Sequence, residues 1–372
     1  MYRGLYFLLA FFVSASLIAL LKEPAYRLGW VDRPDARKHH REPVPTVGGA
    51  GMYAAFCLLL LLLPERPTDW TTLVVAAGIL TAVGIYDDVR PSSPLTRFFF
   101  QISAALLMTS AGGLTVSQLG DLFGLGIVLL EASTVFFTIF CVVGVINAFN
   151  MSDGLDGLAG GLALVATGWL IVLSMANPLQ SQANFAVLVT LAGVIIGFLA
   201  FNLRHHWRTR ASVFMGDAGS TMLGYVLSWL LIKHSQGGEQ VMAPITAAWI
   251  LAVPLLDTVT LMIRRCRAGH SPFSADRYHL HHLLQAFGWS DGQVTAMLLI
   301  GAFTTGWVGA IAWWWQVPDY MQFYAFIALF LLYYQVTGRI WAHLGIGTTR
   351  GREARVMSHL LRRLARQNRI ET

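Results

Sequence analysis

NAFNMSDGLDGLAGG, residues 147–161, interrupts two of the oiliest stretches of the chain. It sets two carboxylates, Asp153 and Asp156, and two carboxamides, Asn147 and Asn150, between the apolar runs 132–146 and 158–175. Ionisable groups so close to hydrocarbon are costly and by default mark a functional site. The sequence DGLDG breaks regular structure twice, which predicts a turn at a membrane surface. If the segment begins a helix, a spacing of three lets both acids converge on one ligand.

The rest of the chain fits that setting. Apolar residues make up 55% of the 372 and charged ones 12%, against about 25% charge in a soluble protein. This composition predicts an all-α, polytopic membrane protein. Cys57, Cys141 and Cys266 are scattered, which suggests neither a disulfide framework nor a metal knot. The first apolar run, 5–21, lacks a small-residue cleavage site and reads as retained. Crossing a bilayer takes about 20 apolar residues. About eleven candidates satisfy or approach this: 4–21, 48–63, 70–86, 97–112, 132–149, 158–176, 183–201, 214–232, 242–262, 293–315 and 321–340. Of these, 48–63 and 97–112 are short.

With the N-terminus outside, the inner segments are 22–47, 87–96, 150–157, 202–213, 263–292 and the tail from 341. Counting Arg97 and Arg339 at their edges, these hold every Lys and Arg except Arg3, Arg66 and Lys233. The positive-inside rule therefore sets the N-terminus outside and the C-terminus in the cytoplasm. Two units follow, a transmembrane body over 1–340 and a basic tail over 341–372. In the tail Val356, Leu360 and Leu364, joined by Met357 and Leu361, form an apolar stripe beside Arg355, Arg362, Arg363, Arg366 and Arg369. That is the pattern of a membrane-surface helix. No nucleic-acid partner is expected.

Five clusters of chemistry-bearing residues fall on the inner side. Asp87 and Asp88 close the third span, and adjacent carboxylates repel unless a cation or proton lies between them; a solvated loop pair is the alternative. Asp153 and Asp156 form the second cluster. In VFMGDAGS (213–220), Asp217 stands between glycines at a helix start, where backbone N–H groups can approach an anion; an N-cap aspartate is the plainer reading. The fourth cluster, 264–282, holds Arg264, Arg265, Arg267, His270, Asp276, Arg277, His279, His281 and His282. Here His279 and His282 can share a helix face, and anion binding competes with a zinc site. The fifth, RPDARKHHR (33–41), is a basic stretch that topology and lipid headgroups alone could explain. Many hard carboxylates without a cysteine partner favour Mg²⁺ or Mn²⁺, which share substrate phosphates. With Arg and His supplying anion sites, the clusters describe phosphoryl transfer at the inner face, to a lipid substrate.

The ordered set Asp87-Asp88, NAFNMSDGLDG (147–157), VFMGDAGS and the late histidine loop resembles the polyprenyl-phosphate N-acetylhexosamine-1-phosphate transferases over nearly the whole chain. Within that superfamily SPFSADRYHLHH (271–282) resembles the undecaprenyl-phosphate GlcNAc-1-phosphate branch rather than the peptidoglycan translocases. The resemblance implies UDP-GlcNAc and undecaprenyl phosphate as substrates. The products would be UMP and GlcNAc-pyrophosphoryl-undecaprenol, the starting point of O-antigen in lipopolysaccharide or of related surface glycans. It further implies a homodimer in the bacterial inner membrane and a catalytic role for the 1–340 body. By the same resemblance Asp217 and Asp88 would hold Mg²⁺ (or Mn²⁺), and Asp87 and Asp88 would orient or deprotonate the lipid phosphate. Asp156, with Asn150 and Asn202, would line the nucleotide pocket beside Asp153, and Phe214 would stack on uracil. His279, His281, His282, Arg265 and Arg277 would grip the sugar-nucleotide phosphates. Arg90 stands near a lysine position of the family. The same chemistry on another UDP-N-acetylhexosamine is a near alternative. A proton-relay transporter is a distant one, since it predicts acids on both sides of the bilayer.

Overall fold

The computed structural model describes residues 2–33, 42–177, 181–204, 208–238, 240–272 and 278–343. The basic stretch 34–41, Arg277 and the tail from 344 lie outside the described residues, and with them the expected surface helix.

The chain is helical almost throughout. In order it forms α1 (Tyr2–Leu28), the short strands β1 (Val31–Asp32) and β2 (Val44–Pro45), α2 (Gly48–Leu62), α3 (Trp70–Val89), α4 (Pro94–Ser110), α5 (Thr134–Ser152) and α6 (Leu158–Met175). Then come α7 (Gln182–Asn202), α8 (Gly216–Ser235), α9 (Pro244–Ile250), α10 (Ala252–Arg267), α11 (Leu280–Ala286), α12 (Asp291–Trp314) and α13 (Asp319–His343). The strands pair antiparallel, Val31 opposite Pro45.

Among the described residues seven helices are long and apolar enough to cross a membrane, and α9 with α10 makes an eighth if that pair, bent by 83°, is one span. This is a multi-pass membrane architecture. Each of the eleven expected spans coincides with a helix or, for 242–262, with the bent pair. Three fall short of spanning by length and composition. Helix α2 has 15 residues and α4 has 17, whereas α8 has 20 but carries Asp217, Lys233 and His234. The polarity of α8 has a physical reason: it is the axis of the bundle, buried along nearly its whole length. Its side chains meet α2, α3, α5 and α6, and polar groups at membrane depth are tolerated where protein surrounds them.

Two contacts lock α8 in place by bringing backbone against backbone. A Cβ built on Gly49 of α2 would lie 2.1 Å from the Gly219 nitrogen, and one on Gly84 of α3 would lie 2.3 Å from the Ala218 Cα. No larger side chain fits either position. The chain before α2 also pairs with the chain entering α8. Phe214 N–H donates to Pro45 O at 2.8 Å, Gly48 N–H to Phe214 O at 3.0 Å, and Gly49 N–H to Met215 O at 3.0 Å.

Candidate active site

Asp217 is the centre of the acidic cluster. Gly216 opens α8 at φ +71°, and a Cβ there would lie 2.3 Å from Asp88 Oδ2, so only glycine admits the Asp88 carboxylate. Asp88 Oδ1 accepts the Asp217 backbone N–H at 2.8 Å. Asn150, at the end of α5, donates to Asp217 Oδ1 at 2.7 Å and to Ser220 Oγ at 3.0 Å. The N-cap alternative for Asp217 is thereby corrected. The helix N-cap is Met215, without a side-chain cap bond, and the Asp217 carboxylate turns towards its neighbours instead.

The solvated-pair alternative for Asp87 and Asp88 is corrected as well. Both stand in the last turn of α3. Asp87 accepts the Ser92 backbone N–H and its side chain is only 7% exposed. Between the acids reaches Arg97, its Nη1 3.4 Å from Asp87 Oδ2 and 3.6 Å from Asp217 Oδ2. Leu80, Val83, Gly84, Gln101 and Thr221 line a small pocket together with these three charged groups. Its lining sets charged groups beside apolar side chains.

The donor set fits a hard divalent cation. Asp88 Oδ2 is buried and has no hydrogen-bond partner, which leaves a carboxylate oxygen beside Asp217 with nothing to satisfy it. Among the described residues no three acids, histidines or cysteines form a ready-made cage. Mg²⁺ ordinarily completes its octahedron with waters and substrate phosphates, so a two-carboxylate seat suits it.

Asp153 and Asp156 sit on the connecting turn between α5 and α6, so helix periodicity does not make them converge. Asp153 is the residue just past α5. Burial, then the negative charges of Asp217 and Asp156, push its carboxyl up to about 7. Asp156 faces the other way: its Oδ2 accepts Arg204 Nε at 2.7 Å and the Ala211 N–H at 3.0 Å. Buried Asn202 staples the turn, accepting the Gly157 N–H at 2.7 Å and donating to Val213 O at 2.9 Å. Asn147 donates to Gln101 Oε1 at 2.7 Å and so ties α5 to the helix that carries Arg97. Phe214, half-buried, is fixed by its backbone pairing with the chain before α2.

The histidine loop docks onto this turn. A Cβ on Gly154 would lie 2.8 Å from His281 Nε2. His279 is the N-cap residue of α11, and its Nδ1 lies 2.7 Å from Asp257 Oδ2 in α10. Asp257 Oδ1 accepts the Leu280 N–H and the Tyr333 hydroxyl, each at 2.9 Å. Asp257 is therefore an anchor of the loop. The His281 and His279 rings stack at 5.3 Å, and His282 lies 4.2 Å from His281. Burial, then His282 and His279, lower the His281 pKa to about 3, so its ring is neutral. Arg265, 6% exposed, donates to Pro272 O at 2.7 Å and so holds the start of the loop.

Two site residues escape sequence reasoning. Arg97 looks like a topology charge at the edge of a span, yet Ser93 caps α4 and Pro94 occupies its first turn. This start signal places Arg97 beside the end of α3. Arg97, rather than the exposed Arg90, meets Asp87. Arg204 has no such signal, because its partners Asp156 and Asp291 are distant in sequence.

A helical membrane body with this acidic seat corresponds to a known family. The chain belongs to glycosyl transferase family 4, whose profile matches residues 70–235, from the start of α3 to the end of α8. It is similar to the undecaprenyl-phosphate alpha-N-acetylglucosaminyl 1-phosphate transferase of Yersinia pestis, with 35% identity over 334 residues covering 89% of this chain and 90% of the relative. The protein of that name from Salmonella typhi is 34% identical over 358 residues, 96% and 94% of the two chains. Its Haemophilus influenzae counterpart is 34% identical over 331 residues, 88% and 92%.

Proposed function

We propose that this protein transfers GlcNAc 1-phosphate from UDP-GlcNAc to undecaprenyl phosphate. The reaction yields GlcNAc-pyrophosphoryl-undecaprenol and UMP at the cytoplasmic face of a bacterial inner membrane. The observation that carries this reading is Arg97 held between Asp87 and Asp217 beside the apolar side chains of Leu80 and Val83. A lipid with a phosphate head has that polarity. The names of the relatives support the same substrates.

An oxygen of the lipid phosphate attacks the β-phosphorus of the sugar nucleotide. The bond from that phosphorus to the bridging oxygen breaks, and its electron pair leaves with UMP. The sugar C1–O bond stays intact, so anomeric configuration is retained. Asp217 and Asp88 would hold Mg²⁺ or Mn²⁺, which when bound supplies positive charge against the transferred phosphoryl oxygens. Arg97 draws the acceptor phosphate into the pocket, and Asp87 orients that phosphate or takes its proton. Asn150 fixes the Asp217 rotamer by donating to Oδ1. Asp156, Asn202 and Phe214 serve the nucleotide side, beside Asp153, and His279, His281, His282 and Arg277 the donor phosphates. Arg265 acts from behind by holding the loop.

In this reading all eleven spans cross the bilayer, with α9 and α10 as one broken span. The N-terminus is outside, the C-terminal tail is cytoplasmic, and the protein works as a homodimer. The helix ends that meet at the site come from one end of the bundle, which supports a single active face. UMP release from a panel of UDP-sugars by purified protein with undecaprenyl phosphate tests the assignment. Activity with UDP-GlcNAc above the other UDP-N-acetylhexosamines is expected, and no UMP release with undecaprenyl phosphate present would overturn it.

A further inference from the structure

Five side chains, Asp156, Arg204, Asp291, Gln285 and His282, form an unbroken chain of hydrogen bonds between the nucleotide-side turn and the histidine loop. Arg204, just past α7, donates from Nε to Asp156 Oδ2 at 2.7 Å and lies with Nη2 2.9 Å from Asp291 Oδ2 in the first turn of α12. Asp291 Oδ1 accepts Gln285 Nε2 at 2.7 Å. Gln285 Oε1, in turn, lies 3.0 Å from His282 Nδ1. The start of α12 is itself fixed by a capping box between Ser290 and Gln293.

Each link dictates the next. The Arg204 guanidinium offers only donors, so the Asp291 oxygen that faces it accepts. A carboxylate 2.7 Å from the Gln285 amide requires the NH₂ group on that side, since the reverse flip would set two acceptor oxygens against each other. The carbonyl of Gln285 must then face His282, and a carbonyl can only accept. Its partner Nδ1 therefore carries a proton, and whenever the ring is neutral Nε2 is the acceptor.

We infer that Arg204, Asp291 and Gln285 are positioning residues that lock His282 in the Nδ1-protonated tautomer and, through the other edge of Arg204, hold Asp156. The proton on Nδ1 follows from geometry, and it defines the tautomer whenever the ring is neutral; its value for catalysis rests on the function proposed above. A locked tautomer presents Nε2 of His282 as a defined acceptor next to His281, without the entropy of choosing between two proton positions.

The test is ¹⁵N NMR of histidine-labelled full-length protein in detergent micelles near pH 8.5, about two units above the ordinary imidazole pKa. The His282 signal is identified by its loss in His282→Gln. Parent protein is expected to show the Nδ1–H pattern at His282. Asp291→Asn, whose amide permits either flip of Gln285, and Gln285→Leu, which removes the acceptor, are both expected to shift it towards a tautomer mixture. Asp291→Glu is expected to restore the parent pattern. In the UMP-release assay, kcat/KM is expected to fall by about tenfold in each of the two disrupting variants. The double variant is expected to be no worse than the poorer single one, because the links act in series. An Nε2–H pattern in the parent, or an unchanged pattern in both disrupting variants, overturns the inference. A locked tautomer in a parent protein that releases no UMP would instead overturn the proposed function and leave the positioning chain standing. Thermal melting of each variant identifies any that fails to fold, and Gln285→Leu serves if Asp291→Asn is that variant.

Discussion

The acidic seat and the histidine loop lie side by side, yet they are held by opposite means. Asp217 and Asp88 are placed by close backbone approach: glycines at 49 and 84 allow α2 and α3 to touch the start of α8 backbone to backbone, and Gly216 leaves room for the Asp88 carboxylate. The histidines are placed by tethers of polar side chains, from Asp257, Tyr333, Gln285 and Asp291. Backbone seams leave no freedom and suit a seat whose carboxylate oxygens must stay fixed. Tethers can lengthen by a few tenths of an ångström and would suit a loop that, on the function proposed above, receives a substrate.

The largest effect should come from the seat. Asp217→Asn is expected to lower turnover by about 10²-fold or more while leaving the melting temperature close to the parent's, and excess EDTA should mimic it. Full activity in the variant would remove Asp217 from the chemistry. Next in size is a pair of glycine variants. Gly84→Val forces methyl groups against the Ala218 backbone and should cost about 1–3 kcal/mol or more, with activity lost alongside. Gly154→Ala meets only the tip of the His281 ring, which can swing, so its melting temperature should stay near the parent's. Equal losses in the two would show that the regions are built alike. Cutting a tether should fall between these limits. Asp257→Asn weakens the His279 contact and is expected to cost about 1–3 kcal/mol in thermal or denaturant melting, with turnover falling no further than stability does. A fully stable variant without turnover would move Asp257 into the chemistry.

The smallest effect is the most discriminating, because the two regions titrate in opposite senses. Asp153 binds its proton more tightly folded than unfolded, so its contribution worsens as pH rises from about 4 to about 7. His281 binds a proton less tightly when folded, so its contribution worsens as pH falls from 6.5 towards about 3. Metal-free protein carrying Asp153→Asn should lose less stability than the parent between pH 5 and pH 7. His281→Gln should instead flatten the acid side. Melting curves across that range check both slopes, and identical slopes in parent and variants would contradict the two environments.

The same contrast explains what was legible in the sequence. Spans are readable because hydrocarbon imposes composition, and the acids stand out because charge is rare there. The turn expected at DGLDG is present, so the convergence of Asp153 and Asp156 that a helix would have allowed is absent and Asp156 faces Arg204. Arg97 and Arg204 were hidden because a lone cation on the inner side is what orientation alone would require. Gln285 was invisible: an uncharged amide acquires its role only from the groups that the fold sets at its two ends.

The seam at α8 also constrains how the protein can change over generations. Where two bulky side chains meet, enlarging one can be answered by trimming the other, and a sequence can drift through small exchanges. At Gly49 against Gly219 there is nothing left to trim on either side. The only remedy for an added methyl is to part the helices, and at the companion seam of Gly84 in α3 against Ala218 parting them carries Asp217 away from Asp88. Lineages descending from such a protein are free to vary its lipid-facing residues, but at this seam they have no single-step neighbours to visit.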